Sequence, residues 1–135
     1  MKEKLVFVVE DDPMMSRLLS SMLRANGASF IIAHNIEDAL SLFRANKDNI
    51  THVLLDGSLT PIKIGTPFPK EPETLPLAKE IAETEGFHGL VYPMSILPDY
   101  TSILLKELGN KGVFLGTDCT KVDAVKVIID QIKQK

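Results

Sequence analysis

Two short apolar runs, each ending in acid, constrain this chain more than anything else in it. Thr51-His52-Val53-Leu54-Leu55-Asp56-Gly57-Ser58 stops at a carboxylate followed by glycine, and Leu5-Val6-Phe7-Val8-Val9 stops at Glu10-Asp11-Asp12. Such a run reads as a strand buried on both faces, with charge placed where the strand leaves the core. If the two strands lie side by side and parallel, Glu10, Asp11 and Asp56 converge at one sheet edge. Neither run carries a cation to neutralise them there.

The rest of the chain supplies layers for such a sheet. Asp12-Pro13 opens a helix, with Met15, Leu18, Leu19 and Met22 at helical spacing and Asn26-Gly27 as its stop. Phe30 to Ala33 follows as a strand, then a helix capped by Asn35 that buries Ile36, Ala39, Leu40 and Phe43. His52 to Asp56 is the third strand. A helix from about Leu75 to Glu85 buries Leu77, Ala78, Ile81 and Ala82. Gly89 to Met94 is the fourth strand, disturbed at its end by Pro93. Pro98-Asp99 opens a helix with Leu104, Leu105 and Leu108 inward, and Gly109 closes it. Gly112 to Leu115 reads as a fifth strand. Thr120 and Asp123 cap a last helix whose stripe is Val122, Val125, Ile128, Ile129 and Ile132. Five strands alternating with five helices predict one α/β domain over residues 1–135, a doubly wound parallel sheet of flavodoxin-like order 2-1-3-4-5. Its switch point lies between the first and third strands, the two that end in acid.

One stretch breaks the rhythm. Residues 57–74 hold Pro61, Pro67, Pro69 and Pro72 around Gly65, too many prolines for a helix or an inner strand. The loop is long for a strand-to-helix connection. Ile62, Ile64 and Phe68 are its apolar anchors if it packs as a flap.

Composition closes off several classes. A formal net charge of −3 with unclustered lysines leaves no electrostatic footprint for nucleic acid. One cysteine, Cys119, permits no internal disulfide and argues against zinc. His34, His52 and His88 lack ligand spacing and read as edge-of-strand residues. No signal peptide or membrane-length apolar span appears, so no membrane association and a cytoplasmic location are expected.

Packed carboxylates repel one another and raise their own pKa values unless a cation joins them. Oxygen donors without histidine or thiolate suit Mg²⁺. A magnesium ion beside one free aspartate oxygen provides for phosphoryl transfer, with the aspartate as nucleophile. The plainer alternative is a set of solvated strand ends.

Val8-Val9-Glu10-Asp11-Asp12-Pro13 and Val53-Leu54-Leu55-Asp56, with Pro61 beyond, resemble the motifs of the CheY-like receiver domain of two-component response regulators. The resemblance spans the chain in element order. It implies that Asp56 is the phosphoacceptor, served by a histidine kinase or phosphotransfer protein. It implies Mg²⁺ held by Glu10, Asp11, Asp56 and the backbone carbonyl of Ser58. The only catalysis it implies is Mg-dependent self-phosphorylation and dephosphorylation at Asp56. The family's hydroxyl after the fourth strand falls at Met94 or, with a shifted register, Ser95. Its lysine after the fifth strand falls on Gly116, and its aromatic switch on Val113 or Phe114. Lys63 of the proline-rich loop, with Lys70 as second choice, is the candidate stand-in for the lysine; the alternative is that both are solvated and the site is impaired. A downstream protein is expected on the face of the fourth helix, fifth strand and fifth helix, with Ile103 and Val127 exposed there. No effector segment follows Lys135, so output is expected through protein contacts.

Two rival readings bear on function. Leu54-Leu55-Asp56-Gly57-Ser58-Leu59-Thr60 also resembles the first motif of haloacid-dehalogenase-type phosphatases, but Leu54 stands where that motif needs its nucleophilic aspartate. The hydrolase reading is therefore rejected. The remaining alternative is a degenerate receiver that binds proteins without being phosphorylated.

Overall fold

The computed structural model describes residues 4–60, 65 and 67–134, and in them four parallel strands alternate with five helices. In chain order these are β1 (Leu5–Val9), α1 (Pro13–Ala25), β2 (Ser29–Ala33), α2 (Ile36–Asn46), β3 (Ile50–Asp56), α3 (Leu75–Glu83), β4 (Leu90–Met94), α4 (Pro98–Leu108) and α5 (Lys121–Lys133). The sheet order is β2-β1-β3-β4, the doubly wound order expected as far as it runs.

Alternation along the strands builds two cores. Phe7, Val9, Val53, Leu55 and Val91 point to one face, where Ala39, Phe43, Leu77, Ile81 and Leu104 of α2, α3 and α4 cover them. Val6, Val8, Leu54 and Tyr92 point to the other, against Leu19, Leu23, Ala124, Val125 and Ile128 of α1 and α5. Burying each large apolar side chain stabilises the fold by roughly 1.5–3 kcal/mol. No helix among the described residues is long and apolar enough to cross a membrane.

Helix starts follow local chemistry. Asp12 accepts a hydrogen bond from the Met14 N–H at 3.0 Å, and Pro13 needs no partner in the first turn. Asn35 accepts from the Asp38 N–H at 2.8 Å. Thr120 and Asp123 bond each other's backbone N–H reciprocally at the start of α5.

The expected fifth strand is corrected. Gly112 meets Val91 in a single parallel bridge, and the Val113 N–H donates to the Val91 carbonyl at 2.8 Å. The next parallel bond outward would need an N–H from residue 93, which is proline. Pro93 ends the ladder there, and Phe114 is left exposed.

Other expectations also change. In α1, Leu18 is 47% exposed, and the buried positions are Ser16, Leu19 and Leu23. Ile103 and Val127 are half-buried and pack against the two cores, so neither is an exposed anchor. His52 is buried inside β3 rather than at an edge, bonded to Thr51 Oγ1 and Gln131 Oε1. Phe68 is 51% exposed, while Ile62 and Ile64 lie outside the described residues. The loop is held instead by Glu73, which accepts from the Leu59 N–H and the Thr60 hydroxyl, and by the Tyr100 hydroxyl donating to the Pro69 carbonyl at 2.6 Å.

Candidate functional site

Register brings the acids together. Val9 lies opposite Leu55, so the next residues on the two neighbouring strands are Glu10 and Asp56. Glu10 and Asp56 are 2% and 8% exposed, and Asp11 is half-buried. One carboxylate oxygen from each of the three lies within 4.8 Å of the others. They line an open cleft of about 240 Å³ that also takes in Ser58, Thr60, Ser95 and Lys121.

The individual oxygens have distinct partners. Asp56 Oδ1 accepts from the Ser58 N–H at 3.1 Å, and Glu10 Oε2 accepts from the Asp12 N–H at 3.1 Å. The remaining oxygens, Asp56 Oδ2 and Glu10 Oε1, both accept from Lys121 Nζ, at 2.9 Å for Asp56. The cation expected on the fifth strand or the loop is thus supplied by the first turn of α5. Lys63 lies outside the described residues, and Lys70 is exposed.

Lys121 was legible in principle. Helices that follow parallel strands start at the strands' C-terminal edge, and the first turn of α5 reaches the acids from there. A lysine there opposes the helix dipole, which favours acidic groups at that end. That misfit is the signal of a partner elsewhere.

Burial pushes the Asp56 carboxyl up to about 6, with the Glu10 charge adding to the rise and Lys121 pulling against it. Burial and the Glu10 charge also raise Asp11. Burial disfavours the charged form of Lys121, but Asp56 and Glu10 outweigh it and the net direction is upward. Lys121 favours the ionised form of Asp56.

Two neighbours shape the surroundings of Asp56. Thr74, fully buried at the start of α3, donates its hydroxyl to the Asp56 carbonyl at 2.6 Å, which sequence reasoning missed. Ser95 follows β4 and lines the cleft, and its Oγ accepts from the Leu97 N–H at 3.1 Å. A Cβ on Gly57 would come within 3.0 Å of Ser95 Cβ, so glycine lets the two loops close on each other. Ser58 lines the cleft beside Asp56.

Three acids with oxygen donors only, all converging, fit a hard divalent cation such as Mg²⁺.

No family profile and no curated protein matches the chain. Solved structures do. A response regulator receiver protein from Pseudomonas putida superposes with a TM-score of 0.68 at 18% identity, covering 100% of this chain and 99% of that one. The receiver domain of Ssk1 from Saccharomyces cerevisiae, crystallised with the histidine phosphotransfer protein Ypd1, gives 0.64 at 16% identity, covering 96% and 88%. A response regulator from Burkholderia pseudomallei, with a phosphorylated aspartic acid and a calcium ion, gives 0.64 at 16% identity, covering 98% and 68%. At these identities the likeness establishes the receiver-domain fold.

Proposed function

We propose that the chain is a signalling receiver that accepts a phosphoryl group on Asp56 from a phosphohistidine of a histidine kinase or phosphotransfer protein. The observation that carries this is Asp56 at the end of β3, in an open cleft, joined by Glu10, Asp11 and a lysine. The yeast receiver's complex with a phosphotransfer protein and the Burkholderia protein's phosphorylated aspartate support it by analogy of fold.

In the reaction an Asp56 carboxylate oxygen attacks phosphorus. The P–N bond to the donor imidazole breaks, and the electron pair leaves with the imidazole nitrogen. Glu10, Asp11, Asp56 and the Ser58 carbonyl would hold Mg²⁺, which supplies charge neutralisation at the transferring group when bound. Lys121 stands at Asp56 Oδ2, where it can meet negative charge arriving on that oxygen. Ser95 lines the same cleft and offers a hydroxyl hydrogen there. Output would pass to a protein partner through the face of α4, residues 112–115 and α5, where Phe114 is exposed.

Incubation with acetyl phosphate and Mg²⁺, read by intact mass, tests the reading. The expected adduct is one phosphoryl group, absent in Asp56→Asn and without Mg²⁺. An unmodified parent protein under these conditions would count against it.

A further inference from the structure

Glu73 closes a ring on the segment that follows Asp56. Its Oε1 accepts from the Leu59 N–H at 3.0 Å and from the Thr60 hydroxyl at 2.8 Å, across 14 and 13 positions of chain. The next residue, Thr74, donates its hydroxyl to the Asp56 carbonyl at 2.6 Å. Two consecutive residues thus grip both ends of residues 56–60. Their own footing is firm, because Thr74 is fully buried and its carbonyl accepts from the Leu77 and Ala78 N–H groups at the start of α3.

What Glu73 fixes follows from peptide geometry. The Ser58–Leu59 peptide is trans, so its carbonyl and its N–H lie in one plane and point in opposite directions. A carboxylate that holds the Leu59 N–H therefore turns the Ser58 carbonyl away from itself. The bond has an ionised acceptor, which makes it stronger than a neutral pair. The other bonds of this segment, Ser58 N–H to Asp56 Oδ1 and Ser58 hydroxyl to the Thr60 carbonyl, both at 3.1 Å, engage other peptides. Among the described residues, Glu73 is the hydrogen-bond partner that sets this one. Ser58 and Thr60 line the cleft and Glu73 does not, so it acts through them.

We propose that Glu73 is a positioning residue for the cation site: by holding the Leu59 N–H it aims the Ser58 carbonyl, which with Glu10, Asp11 and Asp56 would hold Mg²⁺. The role rests on the proposed cation site. It also gives the long proline-rich connection a task, the return of a carboxylate to the residues just past Asp56.

Two measurements on the full chain test it: Mg²⁺ titration by calorimetry, and hydrogen exchange of the Leu59 amide without metal. Glu73→Ala should bind Mg²⁺ roughly tenfold more weakly, as when a group supporting a metal ligand is removed. Glu73→Gln, whose amide oxygen can accept the same two bonds, should bind like the parent. The Leu59 amide should be protected in the parent and in Glu73→Gln, and exchange faster in Glu73→Ala. Glu73→Gln binding as weakly as Glu73→Ala would assign the loss to charge and overturn the positioning role. Saturable Mg²⁺ binding that is equal in the parent and Glu73→Ala overturns it too, while leaving the cation site standing. A Leu59 amide that exchanges in the parent as fast as in an unstructured peptide also overturns it, and this arm needs no variant to fold. Absence of Mg²⁺ binding to the parent overturns the cation site, and the role of Glu73 with it.

Discussion

Lys121 Nζ lies 2.9 Å from Asp56 Oδ2, a contact between residues 65 positions apart that joins the first turn of α5 to the end of β3. The pair does not fully compensate the burial of Asp56, whose carboxyl is still pushed up to about 6 from an ordinary 3.8.

The sign of the pH dependence follows. Between about 4 and 6 the folded protein holds a proton on Asp56 that the unfolded chain has lost, so Asp56 makes stability fall as pH rises through this window. Above it, the charged form costs on the order of 1–3 kcal/mol. Asp56→Asn should therefore stabilise the metal-free protein at pH 7.5 more than at pH 4.5, measured by urea melts at both. Equal stabilisation at the two pH values would refute this assignment.

Thr74→Val removes the hydroxyl that meets the Asp56 carbonyl while keeping the buried shape. The carbonyl is left short of a partner, and the expected loss is about 1–3 kcal/mol. The same change frees the end of β3, so acetyl-phosphate labelling of Asp56 should slow. A variant as stable as the parent would show that the 2.6 Å contact contributes little.

Gly57→Ala places a methyl 3.0 Å from Ser95 Cβ and 3.2 Å from Tyr100 Cβ. The β4–α4 loop must give way, with a stability cost of about 1–3 kcal/mol from overpacking. A thermal melt unchanged from the parent would mean that the loops separate freely.

The acids are legible because each follows directly on an apolar run, Val6–Val9 and Val53–Leu55, and such runs favour a central place in the sheet. Register then follows from the parallel order, which sets Glu10 beside Asp56. Lys121 is harder to read than the acids, because the position where the resemblance puts a lysine holds Gly116 and the cation enters from the helix beyond it. Its reach depends on where α5 begins, which the Thr120–Asp123 cap fixes, and on four methylenes whose direction no periodicity reveals. The fifth strand was misread because Gly112 to Leu115 has the right composition. Composition does not show that its neighbour's missing N–H, at Pro93, faces it. Ile103 and Val127 failed for a related reason: helices covering a twisted sheet bury wider arcs than a single stripe.

His52 provides a pH dependence of the opposite sign at the other end of the sheet. Its Nε2 and the Tyr92 hydroxyl both meet Gln131 Oε1, at 3.0 and 2.9 Å, while Thr51 Oγ1 lies 2.8 Å from its Nδ1. Burial lowers its pKa below the ordinary 6.5, with the bond to Gln131 working against the drop and the Lys4 charge adding to it. The unfolded chain therefore takes up a proton first as pH falls below 6.5, and stability contributed by neutral His52 is lost in that direction. In the parent this rise of stability with pH is opposed by the fall due to Asp56. Asp56→Asn should expose it, giving a protein whose urea midpoint climbs between pH 5 and 7. Adding His52→Gln, which keeps a hydrogen-bonding amide near Gln131 but cannot titrate, should flatten that climb. A double variant that still climbs as steeply would assign the slope to a different group.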